Sequence, residues 1–245
     1  MIQEKSKEKF NKKEENLIKK MIEAGIHFGH SKSRKNPRMD PYIYTLKNNV
    51  SIIDLMSSMK KLNEALDFIK EVVKKEGSIL FVGTEPQAKK VTKETAEECA
   101  MPYVVERWLG GTLTNFQITH KRVEHLLELE NKKKVGELKK YTKREQMLFD
   151  EEIEKLNKKF GGIKKLDKLP DAVFVLSARG DLAAVKEAKR KKISVIGLVD
   201  TDSDPTLIDY FIPSNDDAIS ALKFMLGQVK DVITKAKSQK PKVKL

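Results

Sequence analysis

The stretch ILFVGTEPQAKKV, residues 79–91, contains the pattern that decides the fold. Four apolar residues, Ile79–Val82, are followed by Gly83 and then by Pro86, which opens an amphipathic segment. An uninterrupted apolar run that ends in a turn is typical of a strand buried on both faces. Similar runs recur as AVFVL at 172–176, ISVIGLV at 193–199 and YFI at 210–212, and YVVE at 103–106 is a further predicted strand.

Helical segments separate these predicted strands. Apolar spacing predicts helices from residue 57 into Gly77, from Pro86 to Cys99, and over about 182–192 and 215–235. Alternating strands and helices predict an α/β fold with a parallel central sheet flanked by helices, in a flavodoxin-like or Rossmann-like three-layer arrangement. In the residues that precede this alternating region, a helix is predicted over 16–25. A basic loop over 27–44 follows, with short strands at 42–44 and 50–53.

Residues 112–160 interrupt this alternation. Apolar residues are sparse there, and those of the second half follow the 4-3-4 spacing of paired helices: Phe149, Ile153, Leu156 and Phe160. The segment is predicted to be an antiparallel coiled-coil helical hairpin inserted into an α/β globular domain formed by residues 16–111 and 161–235. Residues 1–15 and 236–245 are predicted to be flexible charged tails.

The charge balance indicates a polyanionic partner. The 245 residues include 49 Lys+Arg and 36 Asp+Glu, a formal net charge of +13, and lysine contacts with phosphates favour nucleic-acid binding. The alternative is a basic enzyme whose charge only keeps it soluble. One cysteine excludes a disulfide framework and a multi-cysteine metal site. The N-terminus has no apolar signal region and no run of 18 apolar residues occurs, so a cytoplasmic protein is expected.

Several residue patterns could carry chemistry, but each has a structural alternative. The turn after residue 82 has one glycine rather than G-x-G-x-x-G, so no cofactor is expected. Asp200, Asp202 and Asp204 follow a predicted strand and could hold Mg²⁺, but a turn stabilised by their side chains is the favoured interpretation. His27 and His30 could bind an ion, which is the less favoured interpretation. No catalytic motif is present, so no enzyme is predicted.

Two segments fit RNA better. The loop at 31–38 carries four basic and no acidic residues, and Tyr42 and Tyr44 follow it. Basic side chains neutralise phosphates, small polar groups bond to phosphate or 2′-hydroxyl oxygens, and exposed aromatic rings stack on bases. Arg107 and Trp108, before two glycines, form either a planar pair for RNA or a tryptophan that packs at the base of the hairpin.

These motifs together resemble a known family. AGIHFGHSKSRKNPRMDPYIY, RWLGGTLTNF, FGGIKKLDKLPDAVFV, VIGLVDTDSDP and IPSNDDAI resemble, in order and spacing, bacterial small-subunit ribosomal protein two, the RpsB family. The resemblance covers about residues 17–235. The chain differs from it at Ser177, Ala178 and Arg179, where relatives commonly carry acidic and histidine residues.

The resemblance implies a structural constituent of the small ribosomal subunit rather than an enzyme. It implies binding to small-subunit rRNA between head and body, and recruitment of the large mRNA-binding ribosomal protein built from OB-fold repeats. The positions expected to contact RNA are Lys32, Arg34, Lys35, Asn36, Arg38, Arg107, Trp108, Thr112, Asn115, Lys121 and Arg122. Two alternatives remain open: a hydrolase that uses Asp200, Asp202 and Asp204, and an RNA-binding regulator that acts away from ribosomes.

Overall fold

Strands and helices alternate along most of the computed structural model, which describes residues 12–238. In chain order the elements are α1 (Lys12–Glu23), β1 (Phe28–Ser31), β2 (Ile43–Lys47), β3 (Val50–Ile53), α2 (Leu55–Lys74), β4 (Ile79–Val82), α3 (Pro86–Glu98), β5 (Tyr103–Val104), α4 (Phe116–Lys134), α5 (Lys143–Phe160), β6 (Ala172–Val175), α6 (Leu182–Arg190), β7 (Ser194–Val199), β8 (Tyr210–Pro213) and α7 (Ile219–Ser238).

The central sheet has five parallel strands in the order β5-β4-β6-β7-β8. Numbered within the sheet, this is the order 2-1-3-4-5 of flavodoxin-like folds. The predicted parallel sheet flanked by helices is therefore confirmed. Successive strands are added on one side of β4 as far as β5 and on its other side from β6 onwards, and ligands bind at such a switch point in many folds of this class.

Successive residues of the central strands point to opposite faces, and both faces are buried. In β4, Ile79 and Phe81 belong to a first apolar cluster, whereas Leu80 and Val82 belong to a second. The first cluster also contains residues of α1, α2, α3 and α7, and the second contains residues of α4, α5 and α6. Two helical layers therefore cover the sheet, which explains why its strands are uninterrupted apolar runs.

A second sheet, antiparallel and of three strands, packs its elements in the order β1-β3-β2. Asn48 and Asn49 join β2 to β3 with positive φ angles of 48° and 64°, as a tight hairpin turn requires. The segment predicted to be a loop, 27–44, contains regular structure. It contains β1 and two short 3-10 turns, Lys32–Arg34 and Pro37–Tyr42.

The start of the last helix differs from its prediction because a side chain bonds to the backbone ahead of it. The last helix begins at Ile219 rather than at residue 215. The side-chain oxygen of Asn215 accepts hydrogen bonds from the backbone N–H groups of Asp217 and Ala218, which closes a turn instead. The strand predicted at 103–106 is reduced to its first two residues.

The predicted tails, 1–15 and 236–245, lie mostly outside the described residues. Where they overlap with them, both are helical. Helix α1 begins at Lys12, and α7 continues to Ser238. Ala236 is buried in the first apolar cluster, and the Lys237 ammonium donates to the Cys99 carbonyl at 2.6 Å, so packing holds the last turn of α7 in place.

Helices α4 and α5 follow one another through a short segment that includes a 3-10 turn, Glu137–Lys140. Asn157 donates to Glu130 at 2.6 Å, and Lys133 pairs with Asp150 at 2.8 Å, so the two helices run in opposite directions. Their buried residues are Val123, Leu126, Leu129, Ile153 and Phe160. These belong to the second apolar cluster, so the apolar contact between the helices continues into the core beneath the sheet.

Candidate nucleic-acid interface

Residues 31–38, the most basic part of the predicted loop and hereafter the basic loop, bond to the segment after β7 and to the turn between β2 and β3. The backbone N–H of Asn36 donates to the Thr201 carbonyl at 2.8 Å, and that of Lys32 donates to the Asn49 carbonyl at 2.9 Å. Met39, directly after the loop, is fully buried in the second apolar cluster. Since these contacts lie within the chain, the loop has its shape without RNA.

The cations of the basic loop differ in their surroundings. Lys35 pairs with Asp40 at 2.5 Å, and Arg38 pairs with Asp204 and donates to the Thr206 hydroxyl at 3.0 Å. Lys32 and Arg34 are exposed and have no ion pair among the described residues. The side chain of Asn36 accepts the backbone N–H of Arg38 at 3.0 Å and so stabilises the turn. Lys32 and Arg34 are therefore the two basic-loop cations available to a phosphate.

The tryptophan segment, residues 107–115, is organised by Glu187 of α6, which the sequence did not indicate. Oε1 of Glu187 accepts the Trp108 indole N–H at 3.1 Å and the Gly111 N–H at 2.8 Å. Oε2 accepts the N–H groups of Leu113 and Thr114 and the Thr114 hydroxyl, each at 3.0 Å. Burial raises the pKa of Glu187, but these bonds outweigh it and hold the pKa below its ordinary value.

The structure divides the predicted contact residues of this segment into two groups. Trp108 is buried, and so is Thr112, whose hydroxyl donates to the Leu109 carbonyl at 2.6 Å. Both side chains point into the protein, which supports the packing alternative for Trp108 and not a direct contact with RNA by either side chain. Arg107 and Asn115 are exposed, as are Lys121 and Arg122 on α4.

An acidic cluster, consisting of Glu85, Asp200, Asp202, Asp216 and Asp217, surrounds His30 at the carboxyl ends of the strands. His30 Nδ1 lies 3.1 Å from Asp200 Oδ2, and His30 Nε2 lies 3.4 Å from Asp217 Oδ2 and 3.9 Å from Asp202 Oδ2. The close contact with Asp200 is the main cause that raises the pKa of His30 to about 9. Burial, followed by repulsion from Asp200, raises the pKa of Asp216 to about 8.

The three aspartates of DTDSDP do not act together. Asp200 and Asp202 face His30, whereas Asp204 accepts the Thr206 N–H at 3.0 Å and pairs with Arg38. The favoured turn interpretation therefore describes Asp204. Arg179, where the chain differs from the family pattern, pairs with Asp202 at 2.5 Å.

The remaining candidates are His27, Cys99 and the turn after β4. His27 contacts the Phe28 ring at 4.0 Å between centroids, and burial lowers its pKa. Burial also raises the pKa of the Cys99 thiol to about 11, so little reactive thiolate is present at neutral pH. At the turn after β4, the Thr84 hydroxyl donates to Asp181 at 2.7 Å, and burial raises the pKa of Asp181 to about 6.

The family model described as ribosomal protein S2 matches residues 21–236, nearly nine-tenths of the chain. The chain belongs to the ribosomal protein S2 family. This confirms the resemblance drawn from the motifs, and the match includes both the basic loop and the tryptophan segment. Ribosomal protein S2 is a structural protein of the small subunit, which assembles with rRNA and other ribosomal proteins to serve translation.

Membership of the ribosomal protein S2 family also bears on the enzyme alternative. The family is a structural one and not a family of enzymes. The separation of Asp204 from Asp200 and Asp202 removes the three-carboxylate arrangement on which the hydrolase alternative depended. Within the described residues, none of the helices is long and apolar enough to cross a bilayer.

The sequence did not reveal three functional carboxylates of this ribosomal protein S2 chain. Asp216 and Asp217 lie beside the DTDSDP motif, and Glu187 binds the tryptophan segment. Asp216 and Asp217 follow β8, as Asp200 follows β7, and parallel neighbours bring their carboxyl ends to one edge. That rule could have placed Asp216 and Asp217 beside Asp200. Glu187 carries no such signal, because it lies on a helix face among lysines and alanines.

Proposed function

We propose that the protein binds small-subunit rRNA, between the head and body of the subunit, through the basic loop, the tryptophan segment and helix α4. The observation that carries this proposal is the exposure of Lys32 and Arg34 on a backbone already held to Thr201 and Asn49. A cation on a preformed loop neutralises a phosphate without the entropic cost of ordering the loop on binding.

Contacts with phosphates would then fix the orientation of the protein on the RNA. Arg107, Asn115, Lys121 and Arg122 supply further exposed donors. Trp108 and Thr112 support these contacts from inside the protein by keeping the segment in shape. Lys35 and Arg38 already have carboxylate partners, so phosphate contacts by these two are expected to add less.

We also propose that residues 112–160 act as a helical hairpin inserted into the α/β domain, with coiled-coil packing between α4 and α5. The polar contact between His125 and Glu152 at 3.3 Å and the ion pair between Lys133 and Asp150 at 2.8 Å support the pairing of the two helices. The segment 131–169 has thirteen basic and seven acidic residues, a surplus suited to rRNA. Function in cytoplasmic ribosomes of bacteria, and recruitment of the OB-repeat mRNA-binding protein, are part of the same proposal.

The RNA proposal is tested by neutralising Lys32 and Arg34 together, as K32Q/R34Q. If both contact phosphates, the slope of log affinity for small-subunit rRNA against log salt falls in magnitude by about 1.4–1.8, at 0.7–0.9 for each contact. The control is K60Q/K70Q, which removes two exposed lysines of α2 in the other helical layer. An unchanged slope for K32Q/R34Q, or an equal loss for the control, contradicts the assignment.

Sedimentation of a cell lysate separates ribosomal assembly from a free RNA-binding regulator. The proposal predicts that the full chain migrates with small subunits and stays with them through a high-salt wash. A chain found mainly in the ribosome-free fractions supports the regulator instead.

A further inference from the structure

A cavity of about 610 Å³ lies at the amino edge of the central sheet, on the opposite edge from the acidic cluster. Ser78 and Pro102 line it, and each directly precedes a parallel strand, β4 or β5. The last turns of α2, α3 and α7 and the segment that follows α5 form the rest of its walls. Ligand pockets of proteins have volumes of about 300–1,000 Å³, so this cavity is large enough for a small molecule or one nucleotide.

Part of the cavity wall offers hydrogen-bond acceptors. The Glu97 side chain is 53 % exposed, and its Oε1 accepts the Tyr103 hydroxyl at 2.9 Å and lies 4.0 Å from the Lys93 ammonium. Its Oε2 has no hydrogen-bond partner within residues 12–238. Burial, followed by the bond to Glu97, raises the pKa of Tyr103 to about 12, so the hydroxyl keeps its proton and holds the carboxylate in place. Helices α2 and α3 also end at the cavity, and the carboxyl end of a helix carries partial negative charge. A ligand here therefore needs hydrogen-bond donors.

The cavity is also lined by three lysines, which differ in their partners. Lys164 contacts both carboxylate oxygens of Glu130, at 2.7 and 2.8 Å. The Lys237 ammonium donates to the Cys99 carbonyl at 2.6 Å. Lys165 is exposed and has no ion pair among the described residues. Three ammonium groups disfavour a cationic ligand, such as the arginine side chain of another protein, and favour a ligand that carries an anionic group.

We propose that this cavity binds an unpaired guanine nucleotide of the rRNA, with the base at Glu97 and the phosphate at Lys165. Among the four RNA bases, only guanine has two adjacent N–H donors on its Watson–Crick edge, and two parallel donors match one carboxylate. Met101, Pro102 and Tyr103 supply apolar surface for the base, and RNA-binding proteins commonly hold unstacked bases against aromatic rings. The inference rests on the proposed function, because the nucleotide belongs to the bound RNA.

The full-length protein is titrated into the fluorescently labelled pentaribonucleotides UUGUU, UUAUU and UUUUU, and binding is followed by anisotropy. We expect UUGUU to bind about 5–150-fold more tightly than the other two, which is the discrimination that one two-donor contact with a base provides. Equal affinities for the three RNAs overturn the proposal.

Two competitors of UUGUU identify the source of the ligand. GMP is expected to bind more weakly than UUGUU, and arginine amide more weakly than GMP. If GMP binds as tightly as UUGUU, the cavity is a site for a free nucleotide. If arginine amide binds more tightly than GMP, the cavity is a site for a partner protein. Either result overturns the assignment to rRNA.

Two variants test whether the base and the phosphate bind at the proposed residues. E97Q replaces an acceptor oxygen by an NH₂ donor, so it should remove the preference for UUGUU and leave the affinity for UUUUU unchanged. K165Q should weaken the binding of all three RNAs alike and lower the magnitude of the salt slope by about 0.7, the value for one contact with a single strand. Both side chains are exposed, so both variants should fold.

The matched controls are E94Q and K90Q, on the exposed surface of α3 outside the cavity. A preference for UUGUU that survives in E97Q, or is lost in E94Q, refutes the site. An equal loss of slope in K165Q and K90Q refutes the phosphate contact. A lowered slope for K32Q/R34Q without a preference for UUGUU refutes only the cavity. A preference for UUGUU together with an unchanged slope for K32Q/R34Q contradicts only the proposed role of the basic loop.

Discussion

Replacing Glu187 by glutamine tests how far one buried carboxylate organises the tryptophan segment. The substitution keeps the size of the side chain but leaves one acceptor oxygen where the carboxylate has two. The five donors that reach Glu187 lie at 2.8–3.1 Å, two on Oε1 and three on Oε2. The glutamine amide loses the fewest hydrogen bonds when its NH₂ group replaces Oε1, because only Trp108 and Gly111 donate there. Its oxygen then still accepts the three donors at the Oε2 position.

The cost follows from these lost bonds. A hydrogen bond to a charged group contributes about 1.5–3 kcal/mol, and a buried donor left without an acceptor costs about 1–3 kcal/mol. E187Q loses the bonds from Trp108 and Gly111, and Glu187 is only 7 % exposed, so water does not replace them. We therefore expect E187Q to lower the free energy of unfolding by about 3–5 kcal/mol. That is a large part of the 5–15 kcal/mol typical of a folded protein.

Urea unfolding followed by tryptophan fluorescence measures this effect. The chain contains one tryptophan, and it is the Trp108 that donates to Glu187, so emission reports on the site itself. The pKa of Glu187 is lowered in the folded state, so its contribution is present above the ordinary value of 4.5. It is lost as the pH falls through the folded pKa. The difference between wild type and E187Q should therefore shrink in acid.

The matched control is E128Q, on the exposed surface of α4. It should change the free energy of unfolding by less than about 0.5 kcal/mol. An E187Q protein within 0.5 kcal/mol of wild type, with unchanged tryptophan emission, refutes the view that Glu187 organises the segment. A difference that stays constant from pH 7 to pH 3 contradicts the cause given for its pKa.

Three further changes test the packing, each by urea unfolding. L126A empties a fully buried site between α4 and the core and should cost about 2–5 kcal/mol, whereas L127A, at an exposed neighbour, should cost under 1 kcal/mol. T142A removes the capping box of α5, in which Thr142 and Glu145 bond reciprocally, and should cost about 0.5–2 kcal/mol. G197A places a methyl group against the side chain of Val175 and should cost about 1–3 kcal/mol, whereas G227A meets open space on α7 and should stabilise by about 0.5–1 kcal/mol.

Three results would contradict these expectations. Equal effects of L126A and L127A would mean that α4 does not pack into the core. A T142A protein as stable as wild type would remove the role of the cap. A stabilising G197A would mean that β6 and β7 are spaced more widely than their register indicates.

Local patterns were sufficient for the central sheet. The apolar run at 79–82 matches β4 residue for residue, and the run at 172–176 is one residue longer than β6. Such a run is stable only where both faces are covered, so a parallel sheet between helices follows from a few neighbouring residues. Local patterns failed where a side chain bonds to the backbone, as Asn215 does ahead of α7.

The composition and motifs of the sequence alone determined the layered α/β fold, the charge that favours RNA and the resemblance to the ribosomal protein S2 family. Tertiary structure alone decided which polar groups meet. His30 lies about 170 residues from Asp200, and Glu187 lies nearly 80 residues from Trp108. Hydrophobic periodicity depends on residues a few positions apart, and so it is visible in one dimension. A contact between distant residues depends on strand order and direction, which burial selects only when the whole chain has folded.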